Sequence, residues 1–313
     1  MNPNRKTLAI VSLSLLVAAC GGGSSGSGVA SAPLPPPPPS AAPAPQIFAS
    51  PVPQEYAVVG ASTTSAGDGY ADISQDARLI QVSLAPADQP RIRYTSGGYY
   101  EVQLPGSTFD RLIHYKGLAD PTADNNFFQP QSAAQNGATL IVNGSARSDF
   151  SHSELASWTM SPNLSGFMAF GTPTPASAVP TTGRATYSGP VLGMVDVTRF
   201  DGLYGGYYFS GVTGDVTLNV DFGSSTLDGA LTLVLNEGIG ANIGTFALSP
   251  VSLSSGSNGF AGSFVSAQPG FNEFRGLFTG PGAQEAIGSW AIPVMWEGQP
   301  HQVIGAWIAR RGN

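Results

Sequence analysis

Residues 274–290, FRGLFTGPGAQEAIGSW, constrain what this chain can fold into more than any other stretch. Phe274, Gly276 and Phe278 fall on one face of a period-two strand, Gly280, Pro281 and Gly282 interrupt it, and Ile287 opens a return that runs through Trp290. The pattern predicts two antiparallel strands joined by forced turns. It also recurs: FAGSF at 260–264 repeats the Phe-x-Gly-x-Phe of FRGLF, and IGSW at 287–290 is echoed by IGAW at 304–307. Large and small residues alternate along a single face, which lets a curved sheet fill a tapering barrel interior without clashes. Glycine inside a strand marks a bend or a close approach, so these glycines read as packing positions and not as ligand contacts.

A barrel needs apolar material, and the chain supplies it. Forty Gly and 26 Pro with only 11% charged residues would suit low complexity, but 42% hydrophobic and 10% aromatic residues would not. A turn-rich, aromatic-rich chain poor in helix formers reads as all-β. With 313 residues, about two domains are expected behind a non-globular front.

That front has two parts. Residues 1–19 carry Arg5 and Lys6, then an apolar run over 8–19 that is short for a membrane span, which predicts a secretory signal. The run ends Leu16-Val17-Ala18-Ala19-Cys20 and resembles a bacterial lipobox, with the chain's one cysteine as the lipidation site. Acyl chains on Cys20 would anchor the protein stably, and Gly21 in place of an aspartate favours the outer membrane. Residues 20–54 read as a disordered tether, GGGSSGSG as flexible coil and PLPPPPPSAAPAP as stiffer polyproline. Within it, residues 21–26 satisfy both G-x-G-x-x-G and G-x-S-x-G, but neither match follows a strand or opens a helix, so neither has its mechanism.

Formal charge is −7, and loss of Arg5 and Lys6 with the leader leaves 11 basic against 20 acidic residues, a net of −9. Nucleic acid is thereby disfavoured as a partner. A lone cysteine also leaves stability to packing and sheet hydrogen bonds.

From about Tyr56, short apolar patches at 79–84, 92–94 and 97–104 predict strands, and ADISQDARLI at 71–80 one or two helical turns. Residues 105–138, with Asp110, Asp120, Asp124, Asn125 and Asn126, read as a long irregular loop, followed by strands near 138–144 and 154–171. Four prolines between 173 and 190 mark a hinge, and a domain boundary falls near Val179. Beyond it, Val216, Leu218, Val220 and Phe222 alternate with Thr217, Asn219 and Asp221, and Gly223, Ser224 and Ser225 turn the chain into a partner strand at 227–235. Further strands are predicted near 184–196, 203–210, 243–249, 259–266, 272–279, 286–294 and 302–310, eight or nine in all, which suits a small up-and-down barrel filled by side chains.

PTTGRATYSGPVLG (180–193), GDVTLNVDFGSSTLDGALTL (214–233), FRGLFTGPGAQEAIGSW and GAWIARR (305–311) together resemble, in pieces and in order, the barrel domain of transferrin-binding-protein-like surface lipoproteins. The resemblance covers about residues 165–313 well. It implies a handle-like β domain at 55–179 and an eight-stranded barrel at 180–313, exported to the surface of a Gram-negative cell. Relatives of this kind bind host proteins such as transferrin or factor H, or haem-carrying proteins. Thr279 and Ile287 depart from the family's usual tyrosine and glycine, and about 260 residues suffice for one lobe where transferrin receptors have two. The expected function is capture of a macromolecular partner or nutrient carrier by a lipid-anchored, non-enzymatic outer-membrane protein. The alternatives are a structural envelope lipoprotein without a dedicated ligand, or direct binding of haem or a small solute.

Catalytic and metal chemistry find little support. His114, His152 and His301 are scattered without metal-ligand spacing, and Glu285 and Glu297 flank one strand in the manner of carboxylates on solvated turns. No catalytic residue, metal or cofactor is assigned. The best candidate binding motif is GLYGGYYF at 202–209, where Tyr204, Tyr207 and Tyr208 offer rings for protein recognition or a phenolate for haem iron; the plainer role is barrel filling. The acidic loop at 105–138 offers oxygens for Ca²⁺ but lacks regular ligand spacing.

Overall fold

Strand side chains alternate between two faces, and each face must find its own neighbour. The computed structural model describes residues 51–65, 79–114, 125–132, 138–143, 149–160, 164–201, 206–236, 240–254 and 256–312. All of these belong to one compact unit, Pro43–Asn313. The leader, Cys20 and the tether as far as residue 50 lie outside the described residues. Among the described residues the chain is all-β and antiparallel, and helix is limited to 3-10 turns at Pro86–Asp88 and Ala176–Ala178.

Ten strands make the first sheet: β1 (Gln54–Glu55), β2 (Ala57–Ser65), β3 (Leu79–Ser83), β4 (Arg91–Tyr94), β5 (Tyr100–Gln103), β6 (Asp110–His114), β7 (Asn125–Pro130), β8 (Thr139–Asn143), β9 (Ser153–Met160) and β10 (Leu164–Gly171). Their order is β1-β4-β5-β6-β7-β8-β9-β10-β2-β3. Only Tyr56 separates β1 from β2, yet β1 pairs with β4 and β2 with β10, so the run 54–65 draws distant parts of the order together and curls the sheet. Ile92, Val102, Leu140, Trp158, Met168 and Phe170 fill its concave side. The expected irregular loop at 105–138 is corrected here. Its described parts contain β6 and β7, and Leu112 and Phe128 pack against that core. Asp110 accepts bonds from the amides of Arg111 (2.8 Å) and Ser132 (2.7 Å), a strand-end role for a carboxylate read as a loop oxygen. Residues 71–78 of the expected helical turns lie outside the described residues, and 79–80 begin β3.

Eight strands make the second sheet: β11 (Arg184–Asp201), β12 (Gly206–Asp221), β13 (Thr226–Leu235), β14 (Asn242–Ser252), β15 (Gly259–Gly262), β16 (Glu273–Thr279), β17 (Glu285–Trp296) and β18 (Gln299–Arg311). The order β14-β13-β12-β11-β18-β17-β16-β15 is up-and-down, with β18 closing back on β11. The ring is completed where Ser249 N donates to Ser263 O (2.9 Å) and Val265 N to Ala247 O (2.8 Å), on either side of a Leu248–Phe264 bridge. Closure leaves no free edge.

The glycine repeats have a reciprocal explanation. Phe260 lies opposite Gly276 and Gly262 opposite Phe274, while Gly288 lies opposite Trp307 and Gly305 opposite Trp290. A Cβ on Gly276 would sit 2.5 Å from the Phe260 ring, one on Gly262 2.8 Å from Phe274, and one on Gly305 2.6 Å from Trp290. Each ring therefore covers the glycine of the neighbouring strand, and the interior of the barrel is a stack of such pairs with Tyr187 and Phe278.

β17 and β18 show no polar face because both of their faces are buried. Trp290, Ile292, Val303 and Trp307 point into the barrel. Ile287, Ala291, Ile304, Ala306 and Ile308 meet Ala61, Leu155, Phe167 and Ala169 of the first sheet. The hairpin is thus a wall shared by two cores, and each large apolar side chain so enclosed contributes roughly 1.5–3 kcal/mol.

Candidate functional site

The two ends of the barrel are unlike. Because the strands run up and down, the β12–β13, β14–β15 and β16–β17 connections share one end, the base, and the β11–β12, β13–β14, β15–β16 and β17–β18 connections share the other, the rim. The base carries the joint with the first sheet. Pro173 bridges to Thr279, Thr174 Oγ1 donates to Gly280 O (2.6 Å), and the hydroxyls of Ser153 and Thr279 are 2.7 Å apart. Glu285, buried at the start of β17, accepts from the amides of Ser151 (2.8 Å) and His152 (3.1 Å). The expectation that Glu285 sits on a solvated turn is therefore corrected. Its carboxylate is withdrawn from water because two backbone donors more than a hundred residues away satisfy it. His152 is buried against Gly280, where a Cβ would lie 2.5 Å from Cδ2 of the imidazole.

The chain also reaches the fold at the base. Gln54 pairs with Tyr94 in β4, and its Nε2 donates to Thr172 Oγ1 (3.2 Å), one residue from the Pro173–Thr279 bridge. Arg311 N donates to Gln284 O (2.9 Å), so β18 finishes there too. Near this end the outer faces of β11, β12 and β13 form an open groove of about 550 Å³, lined by Arg184, Thr186, Asn219, Asp221, Thr226 and Asp228. The Ser224 amide, together with Arg184 and the Gly223 amide, holds the Asp221 carboxyl below its usual range. These groups satisfy one another along the strands and leave a polar outer surface.

The rim is the apolar end. Among the described residues, the exposed large hydrophobics are Val52 beside the base, and Val265 (64%), Phe271 (39%) and Met295 (44%) at the rim. Val265 and Phe271 sit in the β15–β16 connection, and Met295 sits near the end of β17. That connection is held by two carboxamides, each imitating a neighbouring strand. Asn272 reads Phe264, accepting from its N–H (2.9 Å) and donating to its C=O (2.9 Å). Gln302 of β18 reads Phe271 in the same way, accepting from its N–H (3.2 Å) and donating to its C=O (3.0 Å). Gly270, at φ +146°, lies where a Cβ would strike Pro293 at 2.7 Å.

Behind Gln302, β11 carries a bulge. Val195 pairs with Ser210 and Thr198 with Phe209, leaving Asp196 and Val197 unopposed. Asp196 is buried, and its Oδ1 meets Nδ1 of partly buried His301 at 2.8 Å and accepts from Gln302 N at 3.0 Å.

Of the residues singled out from sequence, Tyr204 and Cys20 lie outside the described residues. Tyr207 and Tyr208 open β12 at the rim, in register with Phe200 and Arg199. His114 ends β6, His152 is at the base and His301 near the rim, so the three histidines do not converge. Among the described residues, no three His, Cys, Asp or Glu side chains come together as a metal site. Sequence reading missed Asp196, whose partners lie on β18, and Asn272 and Gln302, whose partners lie in the β15–β16 connection.

The chain is similar to transferrin-binding protein B of Haemophilus parasuis at 16% identity and a TM-score of 0.43, over 81% of this chain and 44% of that one. It is similar to the isotype 1 transferrin-binding protein B of serogroup B Neisseria meningitidis at 16% identity and a TM-score of 0.44, over 82% and 43% respectively. The haemoglobin receptor HpuA of Kingella denitrificans aligns at 15% identity and a TM-score of 0.40, over 81% of this chain and 87% of the receptor. This chain thus spans less than half the length of the first two. No curated protein sequence matches. The match that reaches sequence level covers residues 179–311, from the end of the hinge to the last residue of β18. Residues 179–311, which hold the eight-stranded barrel, match the family model of the C-lobe and N-lobe β-barrels of transferrin-binding protein B.

Proposed function

We propose that this protein is a lipid-anchored, non-enzymatic protein of the Gram-negative outer membrane. Residues 55–179 are its handle-like domain and 180–313 its barrel, and it captures a macromolecular partner or nutrient carrier at the cell surface. The observation that carries the proposal is the opposition of the barrel's two ends. The chain reaches the fold at the base, and Val265, Phe271 and Met295 are exposed at the rim. The described chain enters beside the base, so these exposed apolar side chains lie at the opposite end of the barrel from its entry. Exposed apolar side chains framed by polar ones are what a protein-recognition surface needs. The match of residues 179–311 to a family model named for transferrin binding supports capture as the class of activity, and leaves the partner open.

The test is protease accessibility on intact cells, with a tag after Asn313 and a periplasmic protein as lysis control. Loss of the tag while the control stays protected is the expected result. Protection of the tag until the cells lyse would overturn surface display and favour a periplasmic spacer.

A further inference from the structure

The rim connection is long, glycine-containing and apolar at its tip, yet Gln302 pairs with both backbone groups of Phe271. For that pairing to hold, the first turns of β18 must stay in register, and beyond Val195–Val303 the β11–β18 ladder provides no further pairs. What replaces the ladder is Asp196. The bulge places two residues of β11 against none of β12 and buries the Asp196 carboxylate beside β18. Its Oδ1 takes the Gln302 amide and the His301 ring, fixing two consecutive residues of β18 through a single oxygen.

We infer that Asp196 is a positioning residue for the rim: through His301 and Gln302 it sets the conformation in which Phe271 and Val265 are presented to a partner, without touching that partner itself. The inference takes the rim as the capture surface proposed above. Its physical content is a relay of three links, from buried carboxylate to β18 backbone to side-chain carboxamide to exposed connection, all within hydrogen-bond distance. The relay explains why the β15–β16 connection, which carries exposed apolar side chains at an entropic disadvantage, is nonetheless held in one shape. It also assigns the bulge a purpose, since without the two unopposed residues the carboxylate would not reach Oδ1 contact with β18.

The experiment is amide hydrogen exchange by mass spectrometry on the full-length lipidated protein in detergent, comparing wild type with Asp196→Ala, Asp196→Asn and Gln302→Ala. Asp196→Ala and Gln302→Ala should speed exchange over 263–272 by about 5- to 10-fold, the loss of one or two hydrogen bonds, with β13 and β16 unchanged. Asp196→Asn keeps an oxygen for the Gln302 amide and should restore most of the protection. Unchanged exchange over 263–272 in a folded Asp196→Ala protein overturns the inference, as does acceleration spread equally over the barrel. Should Asp196→Ala fail to fold, the Gln302→Ala and Asp196→Asn pair decides alone: acceleration in the first with near-normal protection in the second supports the relay, and any other combination overturns it. Exchange reads the relay with no partner present, so its failure is separate from failure of the surface-display test, which would remove the capture function and leave the relay intact.

Discussion

Gly288 faces Trp307 across the β17–β18 pair so closely that a Cβ on the glycine would sit 2.1 Å from Cζ2 of the indole. Gly288→Ala should therefore cost about 3 kcal/mol through overpacking. In a chain of this size that lowers Tm by roughly 6–12 °C. Gly282→Ala is the control: its φ of +60° strains an alanine, but nothing lies within 4 Å, so a loss of about 1 kcal/mol is expected. Thermal unfolding followed by circular dichroism separates the two. Equal losses would mean that the indole moves aside and that the packing is looser than described.

Glu285 joins the sheets with both carboxylate oxygens, each accepting from a different backbone amide. Glu285→Gln preserves shape but turns an NH₂ towards one of those donors, at an expected loss of about 1–3 kcal/mol. Urea unfolding should show a lower midpoint than wild type. An unchanged midpoint would show that the joint is held by the apolar layer alone.

Tyr187 is fully buried, donates to Ala283 O at 2.6 Å, and has its pKa pushed by burial from 10.0 to about 12. The fold favours the neutral phenol. Its contribution is complete below pH 10 and is lost as pH rises from 10 through about 12, by roughly 2–3 kcal/mol in total. Tyr187→Phe should be about 1 kcal/mol less stable at neutral pH, with the Ala283 carbonyl left without its donor, and should have a flatter stability profile at alkaline pH. Parallel profiles for the two proteins between pH 9 and 11.5 would refute the assignment.

Much of the barrel was legible because its sequence repeats restate its geometry. The echo of IGSW in IGAW and of FAGSF in FRGLF is the reciprocal glycine–aromatic pairing of β17 with β18 and of β15 with β16. Stretches at 203–210 and 216–222 read as two pieces, which left the count at eight or nine; β12 runs unbroken from Gly206 to Asp221, which makes it eight. Gly214 is not a turn: a Cβ there would lie 1.9 Å from Thr232 O, so the glycine admits a close neighbour inside a continuous strand. The joint at Glu285 and the relay at Asp196 were illegible for another reason. Their partners are 133 and 106 residues away, and no local pattern announces which amide a carboxylate will meet.

Val265, Phe271 and Met295 are exposed and contribute little to the core, so replacing all three by serine should leave Tm within a few degrees of wild type. On the proposed capture role, a partner crosslinked to the wild-type protein on cells should be lost by the same variant and kept by Asp228→Ala on the outer groove. Retention of the crosslink by the triple variant would move the capture surface elsewhere.

Haem offers a direct alternative, through Tyr204, Tyr207 and Tyr208. The proposed capture of a macromolecule calls for no phenolate ligation, so titration with haemin should give no saturable Soret shift. A saturable shift abolished by changing the three tyrosines to phenylalanine would make haem the ligand.

The wall formed by β17 and β18 has a consequence for the order in which the molecule can mature. Neither the barrel interior nor the layer between the sheets is complete without that hairpin, which follows every other described strand. A chain that forms amino terminus first can close the core of the first sheet early, but both of these cores wait for β17 and β18. The hairpin is the latch that locks the two sheets together.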